Sequence, residues 1–306
     1  MSLYRCIPQY KVKPWGGDYY KNRYKNDEIP DYTGEIWLFS PYEGSVSYLE
    51  NVNGEKKLLT DIKEGDTPNI LIKFLDVNET TSVQVHPNKE YTLTHEGTFE
   101  KNEAWYVLNA KKDARIIYGL QKWVGEDELE KYALNGGEGS VFSYVNAPMR
   151  EEIINVPVGT VHALGAGTAV YEVQQSSDTT FRLYDWGRDN KGGTRPLHIK
   201  ESLESTNFKA EYTQTERKEI DLGKAVGTEY MLNEHFRLIK AEFTESAAME
   251  YSSWCTVTLI DGECDIVCGD ERMHFKAGEC AALSQNGKAG GFKLIGNATA
   301  LIAEQR

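Results

Sequence analysis

The feature of this chain that most constrains its fold is a short alternating segment at residues 82–87, with the sequence Ser-Val-Gln-Val-His-Pro. In a β-strand, successive side chains point to opposite faces. The alternation therefore predicts a strand with Gln84 and His86 on one face and two valines on the other. Pro87 ends the strand because it has no N–H to donate to the ladder. The two polar side chains consequently point at the same spot.

The composition favours a β-rich protein with a substantial core. Of 306 residues, 40% are hydrophobic, 11% are aromatic and 18 are tyrosines, and aromatic residues are enriched in strands. Residues 105–109 and 114–118 both have strand patterns, and the short polar connection between them predicts a hairpin. Residues 126–134 begin with acidic residues and are followed by two glycines at 136–137, which predicts a helix. Residues 197–204 are a second, shorter helix candidate.

The strand and turn patterns fall into two blocks. In the C-terminal block, an Asp-Gly pair at 261–262 and an Ala-Gly pair at 277–278 separate strand-like runs, a spacing typical of jelly rolls. The first block has a similar succession of strand-like runs and turns. We therefore predict a mainly β fold of two jelly-roll barrels, in residues 1–225, with a small helical insertion around residues 120–152, and in residues 226–306.

Four side chains form a plausible set of metal ligands. Glu103 follows His86 by 17 residues, and His162 lies 59 residues further on in a glycine-flanked turn. Two imidazoles, a carboxylate and the amide oxygen of Gln84 suit zinc or a similar divalent ion. Spacing alone leaves open that each histidine is an ordinary hydrogen-bonded residue. The C-terminal block has His235 and His274 but no comparable strand, so we expect it to bind no metal.

Charge and cysteine content exclude several classes of protein. The net charge is −13, and there is no basic run, which argues against nucleic-acid binding. No apolar stretch approaches the length of a membrane span, and the N-terminal residues do not resemble a signal peptide.

Four of the five cysteines lie near the C-terminus. We expect them to be buried as small hydrophobic side chains of a cytoplasmic protein, rather than to form disulfides or a zinc knuckle.

Several motifs, in order, resemble type I mannose-6-phosphate isomerase, specifically the short bacterial branch of that family in the cupin superfamily. The resemblance extends from about residue 10 to the C-terminus. Several separate motifs in register are far more specific than any one of them. The matching segments are residues 15–17, 34–37, 71–76, 82–88, 101–106, 157–164 and 172–186.

The resemblance implies a metal-dependent aldose–ketose isomerase that interconverts mannose 6-phosphate and fructose 6-phosphate through an enediol or enediolate. It implies two cupin-type barrels and one divalent ion held by Gln84, His86, Glu103 and His162. The expected ion is Zn²⁺. The expected partner is a small sugar phosphate, with no nucleic acid and no membrane. We expect the chain to be a monomer or a weak homodimer.

The implied catalytic residues are Arg182, Glu172, Asp178 and Lys101, and the implied substrate-binding residues are Ser82, Lys101 and Arg182. An arginine is always charged and presents a planar donor, which suits an enediolate or phosphate oxygen. From the residues alone, Arg182 would be assigned to an ordinary ion pair with Asp178 or Asp185 that fixes a loop.

Two other functions fit part of the pattern. Two histidines and a carboxylate also describe the facial triad of an iron oxygenase, although Gln84 would fill a position that oxygen needs. A sugar-sensing module could use the same pocket without turnover. Elemental analysis together with an isomerase assay would discriminate between these possibilities.

Overall fold

The computed structural model describes residues 2–63, 66–136, 141–190, 193–285 and 290–306. Within these ranges the helices are short, namely α1 (Tyr19–Tyr24), α2 (Lys89–Thr94), α3 (Glu126–Asn135) and α4 (Ile199–Ser205). None of these helices has the length and apolar character needed to cross a bilayer.

Strands make up about half of the described residues and far more of them than helices do. In chain order they are β1 (Ser2–Cys6), β2 (Gln9–Gly17), β3 (Thr33–Phe39), β4 (Tyr48–Asn51), β5 (Lys56–Leu58), β6 (Ile70–Val77), β7 (Val83–Val85), β8 (Glu103–Ala110), β9 (Arg115–Leu120), β10 (Phe142–Asn146), β11 (Ile153–Val156), β12 (His162–Ala163), β13 (Thr168–Gln175), β14 (Phe181–Tyr184), β15 (Asp189–Asn190), β16 (Gly193–Thr194), β17 (Lys218–Asp221), β18 (Val226–Leu232), β19 (Phe236–Phe243), β20 (Ser246–Tyr251), β21 (Cys255–Cys268), β22 (Glu271–Lys276), β23 (Cys280–Ser284) and β24 (Gly290–Gln305). The predicted β-rich class is confirmed.

Two sheets face each other across a shared core. The first sheet has the strand order β10-β9-β12-β7-β14, and the second has the order β11-β8-β13-β6-β2-β3. Apolar side chains from both sheets, such as Tyr118 of the first and Val107 of the second, pack into one cluster. Helices α3 and α4 cover the outside of the first sheet, where Leu129 and Leu203 pack against Val83. The space between the two sheets is where the polar residues of the sequence motifs converge.

The second sheet is covered on both faces. Every residue of β6 is buried, including the charged Lys73. One face looks towards the first sheet, and the other packs against side chains of the C-terminal strands, for example Phe74 with Leu301. A strand that is buried on both faces has a nearly continuous apolar sequence instead of an alternating one, and this explains why Lys73 stands out in β6.

The third sheet joins the two ends of the chain. Its main path has the order β17-β18-β19-β24-β21-β23-β1-β4-β5, and β20 and β22 pair with β24 and β21. The N-terminal strand β1 thus lies against β23, with Leu3 opposite Leu283. The strand pairings cross the predicted boundary between residues 225 and 226. The two-barrel division therefore stays a prediction.

Two predictions about local connections are wrong. The predicted hairpin of residues 105–109 and 114–118 does not form, because β8 pairs with β11 and β13 in the second sheet. Strand β9 instead pairs with β10 and β12 in the first sheet. A short polar connection suits a corner between two sheets as well as a hairpin, and local sequence does not distinguish them. The Asp-Gly pair at 261–262 lies inside β21, where a bulge and the positive φ of Gly262 (76°) bend the strand without ending it.

Other local predictions are confirmed. Helix α3 covers the predicted residues 126–134 and ends at Gly136, whose φ is 66°; residue 137, the second predicted stop glycine, lies outside the described residues. Helix α4 begins two residues after the predicted start at residue 197. The Ala-Gly pair at 277–278 connects β22 and β23. All five cysteines are buried and free.

Candidate metal centre and adjoining cavity

His86, Glu103 and His162 meet between the first two sheets. His86 directly follows β7 and His162 opens β12, both in the first sheet, whereas Glu103 opens β8 in the second. One potential ligand atom from each residue lies within 4.8 Å of the others. The Nε2 atoms of both histidines are 3.3 Å from oxygens of Glu103. All three side chains are about 1% exposed, so water does not screen the group.

Hydrogen bonds at the far side of each ring fix the histidine tautomers. His86 Nδ1 donates to the carbonyl of Thr179 (2.9 Å), and His162 Nδ1 donates to the carbonyl of Thr160 (2.8 Å). Because a carbonyl can only accept, the Nδ1 atoms carry the protons and the Nε2 lone pairs face Glu103. This is the arrangement in which metal-bound histidines are held by outer partners.

The charge states of the group also suit a cation. Burial and then Lys101 lower the pKa of His86 to about 4. Burial also lowers the pKa of His162. Burial alone would raise the pKa of Glu103, but the Lys101 ammonium outweighs burial and holds that pKa well below its usual range. Two neutral imidazoles therefore direct lone pairs at an ionised carboxylate, an arrangement that is unfavourable without a positive charge between them.

Lys101 supplies one positive charge beside the group. Its Nζ lies 2.7 Å from Glu103 Oε2 and 3.2 Å from His86 Nε2. Even so, neither buried oxygen of Glu103 accepts a well-aligned hydrogen bond from the described residues. Buried polar atoms without partners are rare, and a bound ion is one of the explanations for them. The donor set of two imidazole nitrogens and one carboxylate fits zinc or a similar divalent ion.

Gln84 lies beside the group with its amide nitrogen towards it. Its Nε2 is 3.1 Å from His162 Nε2, and its Oε1 accepts from Ser82 Oγ at 3.4 Å. The predicted role of Gln84 needs the oxygen to face the ion, which a half-turn of the amide achieves because its nitrogen and oxygen are nearly the same size. Ligation by Gln84 stays a prediction.

A polar cavity of about 220 Å³ adjoins the metal group, between the same two sheets. The cavity is lined by every predicted site residue that is not part of the buried His-Glu-His group. These residues are Ser82, Gln84, Lys101, Glu172, Asp178 and Arg182. The structure therefore brings all the predicted site residues together, either in the buried group or on the wall beside it.

Arg182 does not form the loop-fixing ion pair that the residues alone suggest. Within the described part of the chain, Asp185 pairs with Arg188 at 2.6 Å and with Arg195 at 2.5 Å, and no carboxylate lies within 4.0 Å of Arg182. Nη1 of Arg182 donates to the carbonyl of Pro196 (3.0 Å), and its buried Nε has no hydrogen-bond partner in the part of the chain that the structure describes. Burial and the neighbouring Arg195 lower its pKa. The guanidinium of Arg182 thus faces the cavity without a counter-ion among the described residues.

Sequence reasoning missed a second row of charges on the second sheet. Lys73 Nζ lies 3.3 Å from Glu172 Oε1 and 4.0 Å from Glu35 Oε2, and Lys13 Nζ lies 2.9 Å from Glu35 Oε1. Indole N–H groups hold both carboxylates, at 2.8 Å from Trp105 to Glu172 and at 2.6 Å from Trp37 to Glu35. Lys73 and Glu35 each interrupt an apolar strand. That signal was present in the sequence and could have identified them.

The charge of Glu35 is expected to make stability depend on pH. Burial alone would raise its pKa, but Lys73 and Lys13 outweigh burial and lower the pKa from 4.5 to about 2. Because the folded pKa lies below the unfolded one, ionised Glu35 stabilises the fold above about pH 4.5, and this contribution is lost as the pH falls towards 2. A shift of this size corresponds to about 3 kcal/mol, of which about 2 kcal/mol is lost by about pH 3.

Urea unfolding of the wild type and of Glu35→Gln at about pH 5 and about pH 3 measures this contribution. The free energy of unfolding of the wild type should fall by about 2 kcal/mol more than that of the variant. Equal falls in the two proteins would contradict the assignment of the charge to Glu35.

The fold and site together define a class: a double-sheet β protein of the cupin type with a buried His-Glu-His group beside a polar cavity. Comparison with known proteins is more specific. Residues 3–114 match the family model for the catalytic domain of phosphomannose isomerase type I. The chain is 32% identical over 310 residues to mannose-6-phosphate isomerase ManA of Bacillus subtilis, covering 97% of this chain and 96% of the relative. The chain belongs to the type I phosphomannose isomerase family.

Two further matches agree with this placement. A mannose-6-phosphate isomerase of Streptococcus mutans is 31% identical over 284 residues, covering 89% of each chain. The crystal structure of mannose 6-phosphate isomerase from Bacillus subtilis superposes with a TM-score of 0.89 at 27% identity, covering 99% of this chain and 100% of that one. The similarity therefore extends over both the site and the C-terminal sheet.

Proposed function

We propose that this chain interconverts mannose 6-phosphate and fructose 6-phosphate with the help of one bound divalent ion, and that this ion is Zn²⁺. The observation that carries the proposal is the juxtaposition of the buried His86–Glu103–His162 group with a cavity lined by several cations. Family membership supports the same reaction.

His86, Glu103, His162 and Gln84 would hold the ion. When bound, a divalent ion supplies a Lewis acid that stabilises negative charge on a sugar oxygen. Glu103 is the only anionic member of this set, so the site remains net positive towards an anionic substrate.

Isomerisation moves a proton between C1 and C2 of the sugar, so a base must reach the carbon-bound proton. Glu172 suits this role because the indole N–H of Trp105 fixes its Oε2, while its Oε1 lies 3.3 Å from Lys73 Nζ and accepts no well-aligned hydrogen bond from the described residues. A base at Glu172 takes the proton from one carbon and returns it to the other. Asp178 lines the same cavity and is the second candidate. Lys101 and Arg182 would stabilise the enediolate oxygen or bind the phosphate.

The charge of the cavity wall favours an anionic substrate. Among the described residues, five basic and three acidic side chains line the cavity, in a chain whose net charge is −13. Arg182 and Arg195 contribute guanidinium groups that suit phosphate, and the hydroxyl of Ser82 is a further donor on the same wall. Every side chain in this proposal belongs to one chain, so a monomer or weak homodimer is sufficient for activity.

A coupled assay with mannose 6-phosphate and unphosphorylated mannose tests the proposal. We expect turnover of the phosphorylated sugar and little turnover of the free sugar. Phosphate binding holds C1 and C2 in place, so its loss should lower kcat as well as raise KM. Treatment with a chelator should abolish activity, and added Zn²⁺ should restore it.

Three outcomes would contradict this proposal. Equal kcat/KM for phosphorylated and free mannose would show that the cationic side chains of the cavity wall do not bind the phosphate. Full activity in a sample confirmed to be free of metal would remove the role of the ion. Tight binding of metal and sugar phosphate without turnover would instead indicate a sugar-binding module.

A further inference from the structure

Asn102 occupies a special position, between Lys101 and Glu103. These two neighbours point towards the cavity and the histidines, whereas the side chain of Asn102 points the other way, to the third sheet. The backbone of Asn102 therefore sets where both neighbours lie. Whatever holds Asn102 also holds the only carboxylate of the metal group.

Asn102 is connected to the rest of the metal group through one turn. Its Oδ1 accepts from the backbone N–H of Val158 at 3.1 Å. In the same turn, the N–H of Gly159 donates to the carbonyl of His86 (2.9 Å), and the carbonyl of Thr160 accepts from His162 Nδ1. One asparagine thus links the positions of Glu103, His86 and His162.

The oxygen and both N–H donors of the Asn102 amide are engaged in hydrogen bonds. The Val158 N–H can only donate, so the oxygen must face it and the orientation of the amide is fixed. The Nδ2 group then donates one hydrogen to Gln175 Oε1 (2.8 Å) and the other to His235 Nε2 (3.1 Å). His235 must accept this bond, so its Nε2 carries a lone pair.

His235 is itself held firmly, in the tight turn between β18 and β19. Asn233 Oδ1 accepts from the backbone N–H groups of His235 and Phe236, each at 2.9 Å, and the carbonyl of His235 accepts from the N–H of Arg306. Its side chain is 21% exposed, so most of the ring is covered. The third sheet thus presents a fixed acceptor to Asn102.

We propose that His235 is a positioning residue for the metal centre, and that through it the C-terminal sheet, which contributes no proposed ligand, keeps Glu103 and Lys101 in register with the two histidines. The inference rests on the proposed function, since it assigns a task at the same site. His235 touches neither the ion nor the sugar in this proposal and acts only through Asn102.

The test compares four zinc-loaded proteins: the wild type, His235→Ala, His235→Gln and His274→Ala. The readouts are the rate of zinc release to a colorimetric chelator, and kcat and KM for mannose 6-phosphate. Loss of an outer partner of a metal ligand costs roughly 10–100-fold in metal affinity or activity. His235 is one hydrogen bond further from the metal than such an outer partner, so its effect should lie at the lower end of this range. We expect His235→Ala to release zinc about tenfold faster and to lower kcat, with KM little changed.

The conservative variant separates positioning from packing. Glutamine places an acceptor oxygen near the position of Nε2, so His235→Gln should restore slow release and most of kcat. His274→Ala, an exposed histidine of the same sheet that bonds to Asp265, should behave as the wild type.

Unchanged zinc release in His235→Ala, or a lowered melting temperature without faster release, would overturn the inference. So would a glutamine variant that behaves as the alanine variant does. A wild type that neither retains zinc nor isomerises the sugar would overturn the proposed function itself, so the two failures are distinguishable.

Discussion

Replacing His162 with alanine is expected to abolish metal binding and to reduce isomerase turnover by more than about 10²-fold. The change removes one of two imidazole nitrogens from a buried group of three potential ligands. Loss of an outer partner already costs about 10–100-fold, and loss of a direct ligand should cost more. Elemental analysis of the purified protein and the coupled assay measure the two effects.

A folding defect must be separated from a binding defect in this experiment, because His162 is fully buried. His162→Gln is the second variant, since it preserves much of the side-chain volume and replaces the imidazole nitrogen by a weaker amide ligand. His274→Ala is the matched control and should retain both metal and turnover. Full metal content and normal activity in both His162 variants, with native circular dichroism, would remove His162 from the metal centre.

Arg182→Lys is expected to keep the fold and the metal but to slow turnover by at least about tenfold. Lysine keeps the charge and loses the planar fork. Loss of one preorganised donor to a developing oxyanion typically costs about 10²–10³-fold in rate, so tenfold is a cautious lower bound. Comparison of kcat with KM shows whether the lost contact is made mainly in the transition state.

Arg188→Lys is a matched control for this variant. Arg188 pairs with Asp185 and does not line the cavity, so its replacement tests the effect of weakening an ion pair just after β14, the strand that carries Arg182. We expect a much smaller loss than in Arg182→Lys. Near-normal turnover of Arg182→Lys would return Arg182 to an ordinary structural role.

The metal group could be anticipated from sequence because its members are chemically unusual for their positions. Gln84 and His86 alternate with valines in a short strand, and this local pattern survives folding intact. His162 and Glu103 lie far from them in sequence, and there the family resemblance supplied what spacing could not. The placement of Arg182 in the cavity also agrees with the resemblance. The residues alone suggested an ion pair between Arg182 and Asp185, but Asp185 pairs with Arg188 and Arg195.

The features that sequence reasoning missed all depend on contacts between distant segments. The hairpin prediction failed because the partners of β8 and β9 are set by the packing of two sheets, which a four-residue connection does not encode. The ion pairs of Lys73 join three strands of the second sheet. His235 had no assigned role because its partner, Asn102, lies 133 residues away.

The pairing of β1 with β23 has a consequence for how this chain acquires its fold during synthesis. Strand β1 pairs with β4 on one edge, which needs only nearby sequence, but its other edge stays unpaired until residues 280–284 have been made. Contacts of such large sequence separation slow folding, and unpaired strand edges are prone to aggregation meanwhile. Strand β23 therefore closes an edge of β1 that the preceding strands leave open, and β1 is paired on both sides only after β23 has been added.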